Sequence, residues 1–243
     1  MSARGPALVL ALFVAAGCGP SLEVLTAGGS GPPTLVLLHG YGSSAEEWRP
    51  FTDTIEWPAP GRFVFPQGPG ATQRPGGRAW WPLELQVFSR TDRAAPDLSR
   101  TRPRGLQPAA AAVSGLLRRL GWSPGGDIVL GGFSQGAMVA SEVAFRSNAR
   151  LAALVLLSGT PVDEPSWQRG YPARRGLPVF IAHGRNDPVL PFAGSERMQR
   201  DLAAAGLRVT WVPFDGGHEI PAEVVVALNA FLRALREAKQ PSA

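Results

Sequence analysis

The sequence predicts an α/β domain: a mostly parallel central sheet with helices on both faces. Three observations carry this. Short apolar runs recur along the chain, they alternate with stretches of helical periodicity, and no linker splits the 243 residues. A single α/β domain routinely reaches this length.

The runs at 34–38, 153–157 and 178–182 are essentially apolar, as in strands buried on both faces. Further strand candidates lie at 22–26, 62–65, 127–130 and 208–212. Helix candidates fall at about 44–56, 107–120, 135–147, 193–205 and 221–238. The last carries Val224, Val225, Leu228, Phe231, Leu232 and Leu235 at helical spacing. Alternation of this kind calls for crossover connections. Residues 34–238 are therefore expected to form one domain, with 18–33 as a short tether and first strand.

Residues 66–106 break the pattern, being rich in Gly, Pro, Arg and Ser around Trp80 and Trp81. A loop this long in a compact domain usually serves a function or is disordered. Trp80, Trp81 and, from a later loop, Val189 are expected to line a substrate pocket. Arg90, Arg93, Arg100, Arg102 and Arg104 follow, and aromatic rings beside cations suit an anionic or interfacial substrate. The plainer alternative is a solvated loop whose tryptophans cap the core.

Composition narrows the function. Hydrophobic residues make up 44% and charged residues 18%, which excludes a disordered chain. The net charge is +5 and Lys239 is the only lysine. The arginines are scattered without a recognition motif, so nucleic acid is not the expected partner. The single cysteine, Cys18, excludes an intrachain disulfide and a cysteine-based metal site. Three histidines, His39, His183 and His218, match no zinc spacing, and neither metal nor cofactor is expected.

The N-terminus reads as a targeting segment. Arg4 precedes a purely apolar run from Ala7 to Ala16, about half the ~20 residues a bilayer span needs. Ala15-Ala16-Gly17-Cys18 then resembles a bacterial lipobox, with Ala15 where Leu is usual. The expectation is removal of residues 1–17, acylation of Cys18, and a lipid anchor in the bacterial cell envelope. An ordinary signal peptide with Cys18 incidental is the alternative.

The sharpest chemical signal is Asp127-Ile-Val-Leu-Gly-Gly-Phe-Ser134-Gln-Gly136, a strand running through Gly-x-Ser-x-Gly into a helix. Glycines on both sides of the serine permit a tight turn that lifts its Oγ above the sheet. A serine hydroxyl needs a base. His218, in Asp215-Gly-Gly-His218-Glu between the last strand and last helix, can reach back over the sheet edge. The base needs an orienting acid, and Asp187 follows the 178–182 strand directly. The order Ser, Asp, His is that of α/β-hydrolases. Asp163 and Asp215 are the rival acids. Two amides are needed for an oxyanion. Gln135 and the His39-Gly-Tyr41-Gly42 turn can supply them, while the His39 and His183 side chains are expected only to hold their loops by hydrogen bonds.

Leu37-Leu-His-Gly-Tyr-Gly42, Gly131-Gly-Phe-Ser-Gln-Gly-Ala137, Leu157-Ser-Gly159, His183-Gly-Arg-Asn-Asp-Pro-Val189 and Gly217-His-Glu219 resemble the phospholipase/carboxylesterase family, which includes acyl-protein thioesterases. The resemblance spans about 34–220. It implies the α/β-hydrolase fold and a cofactor-free hydrolase of carboxylic esters, thioesters or lysophospholipids, a small-molecule ester or lipid being the substrate. By matching position it makes Ser134, Asp187 and His218 the triad, and the amides of Tyr41 and Gln135 the oxyanion donors. Arg78-Ala-Trp80-Trp81 is similar to a family segment near the active-site mouth. Tyr41 departs from the family's usual Leu, and an export signal is at odds with an intracellular depalmitoylating role. Two other readings stay open at this point: an acyltransferase on the same scaffold, and a non-catalytic envelope-binding lipoprotein.

Overall fold

In the computed structural model, residues 21–83, 96–122 and 127–238 are described. Nine strands and five α-helices are formed by these residues. The strands are β1 (Val24–Gly28), β2 (Gly31–Leu38), β3 (Gly61–Pro66), β4 (Gly70–Ala71), β5 (Arg78–Ala79), β6 (Ile128–Phe133), β7 (Ala153–Leu157), β8 (Pro178–Gly184) and β9 (Arg208–Phe214). The helices are α1 (Leu106–Arg119), α2 (Gln135–Arg146), α3 (Glu164–Gln168), α4 (Phe192–Ala204) and α5 (Ala222–Glu237).

Seven strands form the main sheet in the order β1-β3-β2-β6-β7-β8-β9. All neighbours pair in parallel except β1, which runs antiparallel to β3. The sheet therefore begins ahead of residue 34: β1 zips Val24 to Pro66 through Gly28 to Arg62. Side chains alternate across the sheet as the strand period requires. Val36, Leu38, Leu130, Val179 and Ile181 enter one core with α1, α2, α3 and α4. Leu35, Leu37, Val129, Phe180 and Ala182 enter a second core with α5 and residues Trp48 and Ile55. Burial on both faces explains the unbroken apolar runs.

Two expectations are corrected here. The stretch 44–56 forms not an α-helix but a 3₁₀ helix at Glu46–Asp53. Pro50 inside it lacks the N–H that an α ladder needs, and Trp48 packs edge-on against Phe51 at 5.0 Å instead. Residues 66–83 and 96–105 are ordered structure, not a free loop. They contain the small β4–β5 hairpin, and Thr101 and Ser99 carbonyls accept the amides of Asp163 and Glu164. Arg90 and Arg93 lie outside the described residues. Arg102 is spent on Asp163 at 3.3 Å.

Candidate functional site

Ser134 ends β6 and opens α2 with φ 54° and ψ −119°. Such a backbone is costly for a residue with a Cβ and persists only when its surroundings enforce it. They do so through two absent side chains. A Cβ on Gly132 would lie 2.4 Å from the Gly136 carbonyl carbon, and one on Gly136 would lie 2.2 Å from the Leu38 oxygen. The elbow thus packs β6, α2 and the end of β2 at backbone contact.

Asp187 and His218 emerge after β8 and β9, at the same carboxyl edge of the sheet. His218 Nδ1 lies 2.7 Å from Asp187 Oδ2. The rival acids make other bonds: Asp163 meets Arg102, and Asp215, largely exposed, meets Arg185 at 3.6 Å. Gly184 makes the meeting possible, since a Cβ there would lie 2.2 Å from the Gly217 oxygen in the histidine's loop. Asn186 N–H donates to the Gly216 carbonyl, and Ser158 Oγ to that of Glu219, so the loop is tied on both sides.

The acid is saturated with donors. Its Oδ1 accepts the amides of Val189 at 2.8 Å and Leu190 at 2.9 Å. Its Oδ2 is shared between His218 and the fully buried His183, whose Nε2 is 3.1 Å away. Burial alone would push this carboxyl up. The bonds from His183 and His218, the charge of His218 and the Leu190 amide outweigh burial and hold it well below the usual carboxylate range.

The other half of the site is less bonded. Among the described residues the Ser134 hydroxyl makes no hydrogen bond, and the amides of Tyr41 and Gln135 donate to no protein acceptor. In the turn after β2 the neighbouring amides are committed, Gly42 to the Arg78 carbonyl and Ser43 to that of Gly40. His39 stiffens this turn: its Nδ1 donates to the Gly40 carbonyl at 2.7 Å and its Nε2 accepts the Gly68 amide at 2.9 Å. Acceptance of the Gly68 amide requires the neutral ring, and burial lowers the pKa of His39 accordingly.

Trp80 and Trp81 do not line the cavity that Ser134 and His218 share and instead fit the plainer expectation of tryptophans packed on the core. Both are buried, 3% and 5% exposed, in the α1–α4 core. They can share one side because the chain leaves β5 at Ala79 and is no longer a strand. Trp80 Nε1 donates to the His39 carbonyl at 2.8 Å. Gln135 clamps the backbone of both, accepting the Trp80 amide and donating to the Trp81 carbonyl, each at 2.9 Å. Val189 stands 38% exposed and outside the cavity lining.

The cavity lies on the opposite flank. It measures about 450 Å³ and opens between the 3₁₀ helix and the β9–α5 loop. Trp48, Pro50, Phe51, Phe133 and Ile220 give it a mainly apolar lining, with Tyr41, Ser134, His218 and the Glu47 carboxylate among its polar groups. The Phe133 ring packs on His218 with centroids 4.7 Å apart. Of these walls the sequence offered only a trace, the Trp48 and Phe51 pair three residues apart. Among the described residues no cluster of three or more His, Cys, Asp or Glu could hold a metal.

A nucleophile-type serine on a strained strand–helix elbow, with a histidine and its acid at the carboxyl edge of a doubly covered parallel sheet, defines an α/β-hydrolase. The phospholipase/carboxylesterase family profile matches residues 21–236. The chain belongs to that family and is a serine ester hydrolase. Acyl-protein thioesterase 1 of Eremothecium gossypii is 28% identical over 219 residues, covering 85% of this chain and 89% of that protein. The crystal structure of esterase PE8 superposes with a TM-score of 0.71 at 29% identity, covering 89% of this chain and all of the other. Acyl-protein thioesterase 2 of Zea mays, at 22% identity and a TM-score of 0.65, covers 87% of this chain and 98% of its own and shares the fold.

Proposed function

We propose that this hydrolase cleaves carboxylic esters through an acyl-enzyme on Ser134. His218 takes the Ser134 proton as the hydroxyl oxygen attacks the ester carbonyl carbon, then returns it to the departing alkoxide. Water, deprotonated by the same ring, later releases the acid and restores Ser134. Asp187 holds His218 in the tautomer whose Nε2 faces the serine, and stabilises the imidazolium that forms. The amides of Tyr41 and Gln135 donate to the tetrahedral oxyanion. The observation that carries this reading is the 2.7 Å His218–Asp187 bond at the mouth of an apolar cavity that Ser134 and His218 share. The Ser134–His218 hydrogen bond is one that tightens in the Michaelis and transition-state complexes.

The lining favours an ester with an uncharged apolar acyl group, and relatives named for thioester cleavage extend the class to thioesters. A fluorophosphonate probe should label the wild type on Ser134 and leave Ser134→Ala unlabelled; equal labelling would refute the assignment. Cys18 lies outside the described residues. We propose acylation there, with the enzyme held in the bacterial cell envelope. Mass spectrometry of membrane-extracted protein should find residues 1–17 absent and Cys18 acylated, and a correctly cleaved Cys18→Ala retained on membranes would count against it.

A further inference from the structure

We propose that His183, a second histidine on the far side of Asp187, is a positioning residue that aims the acid at His218. The proposal rests on the Ser134–His218–Asp187 reading. His183 is the penultimate residue of β8, four residues before Asp187, and its ring is fully buried. Its Nε2 faces only acceptors, the Asp187 carboxylate at 3.1 Å and the Leu190 carbonyl at 3.2 Å. That nitrogen therefore carries the proton, and one N–H is shared between the acid and the loop that follows it.

The opposite nitrogen is anchored just as firmly. Nδ1 lies 2.7 Å from Ser195 Oγ in the first turn of α4, and as the unprotonated nitrogen it accepts that hydroxyl's proton. Phe192 meets the ring edge-on at 6.0 Å. One chain of hydrogen bonds thus runs from Ser195 through His183 and Asp187 to His218. A surface histidine would add nothing of this kind. Here Oδ2 sits between two imidazoles while Oδ1 is pinned by two amides, so the carboxylate has one orientation in which every donor is served. Rotation of the carboxyl away from His218 would also break its bond to the buried His183 N–H, leaving that donor only the Leu190 carbonyl, which costs free energy.

The two nitrogens can be separated by isosteres. In His183→Gln the amide nitrogen occupies the place of Nε2 and still reaches Asp187. In His183→Asn it occupies the place of Nδ1 and reaches only Ser195. Both variants are measured on p-nitrophenyl butyrate, with active sites counted by fluorophosphonate and folding checked by thermal melting. The positioning role predicts that His183→Asn loses about 10- to 100-fold in kcat, as a small misplacement of a catalytic group does, with KM unchanged. His183→Gln should stay within about fivefold of the wild type. The downfield proton resonance of the His218–Asp187 bond should persist in the Gln variant and vanish or broaden in the Asn variant. Equal kcat for the two variants, or Asn outperforming Gln, overturns the proposal and reduces His183 to a prop for α4. If His183→Asn does not fold, His183→Gln decides alone, a tenfold loss of kcat with loss of the resonance being fatal. Failure of the triad itself would be read separately, as full activity in Asp187→Asn.

Discussion

The two ends of the candidate site are built on opposite plans. Around Asp187 every oxygen is occupied: two amides, two imidazoles and a serine relay leave the carboxylate no freedom. Around Ser134 the hydroxyl and the two nearby amides have no protein partner among the described residues, and one side opens on a cavity. The difference teaches where preorganisation belongs. A group that must keep one orientation through the whole cycle is saturated by the protein. On the proposed mechanism, groups that bind charge only as it develops are held in place through their backbones and left unpaired.

The contrast breaks most severely at Ser134. Replacement by Ala should lower kcat by roughly 10⁶-fold while the protein stays folded, as with nucleophile loss in related chemistry; a residual rate above a hundredth of wild type would mean another nucleophile. Asp187→Asn should cost about 10⁴-fold, because the amide can donate to the histidine and select the wrong tautomer. Asp163→Asn should do little, since Asp163 makes its ion pair with Arg102 far from His218's bond and Asn tolerates its left-handed φ of 45°. Steady-state kinetics on the two variants checks this pair, and a reversed order would move the acid to the β7–α3 turn.

A smaller effect sharpens the Ser134 side. Gln135→Ala keeps the backbone amide but removes the clamp on Trp80 and Trp81. About tenfold in kcat is expected, below the 10²–10³ of a lost oxyanion donor, together with destabilisation of about 1–3 kcal/mol from buried backbone groups left unpaired. Melting and kinetics measured together should show both; a melting loss with kcat intact would confine Gln135 to structure.

The smallest effect is in pH. His39 has its pKa lowered by burial, so the unfolded chain binds this proton more readily than the folded one. Its contribution to stability is complete above about pH 6.5 and is lost as pH falls below that, with a slope of at most about 1.4 kcal/mol per unit. The melting temperature of His39→Gln relative to wild type should therefore improve between pH 7 and 5, and a parallel decline would show that His39 does not titrate differently on folding.

Much of this was legible in the sequence. The apolar runs named the parallel strands because both faces are covered, and Gly-x-Ser-x-Gly named the elbow because only glycine fits where Gly132 and Gly136 touch backbone. The chain order placed Asp187 and His218 after β8 and β9, where they meet. The cavity was misplaced for a physical reason. Adjacent tryptophans in a Gly-rich loop look exposed when neighbours are unknown, whereas Gly105 and Gln135 receive them from distant parts of the chain. The helical period of 44–56 masked the effect of Pro50. The proposed role of His183 rests on Ser195, which no local pattern connects to it.

The cavity wall at Trp48, Pro50 and Phe51 has a separate consequence. That segment is fastened from behind, by Asn229 of α5 to the Thr54 carbonyl and the Glu56 amide, and by Arg233 to Glu56 at 2.6 Å. It touches the reacting groups through space and not through their hydrogen bonds. The same segment buries Trp48 and Ile55 in the second core and pairs Glu47 with Arg74 at 2.6 Å, so an exchange of residues 44–56 must keep those partners as well as the α5 fasteners. On the proposed function, a graft of the equivalent segment from a relative that keeps those partners should shift substrate preference while Ser134 labelling by fluorophosphonate is retained.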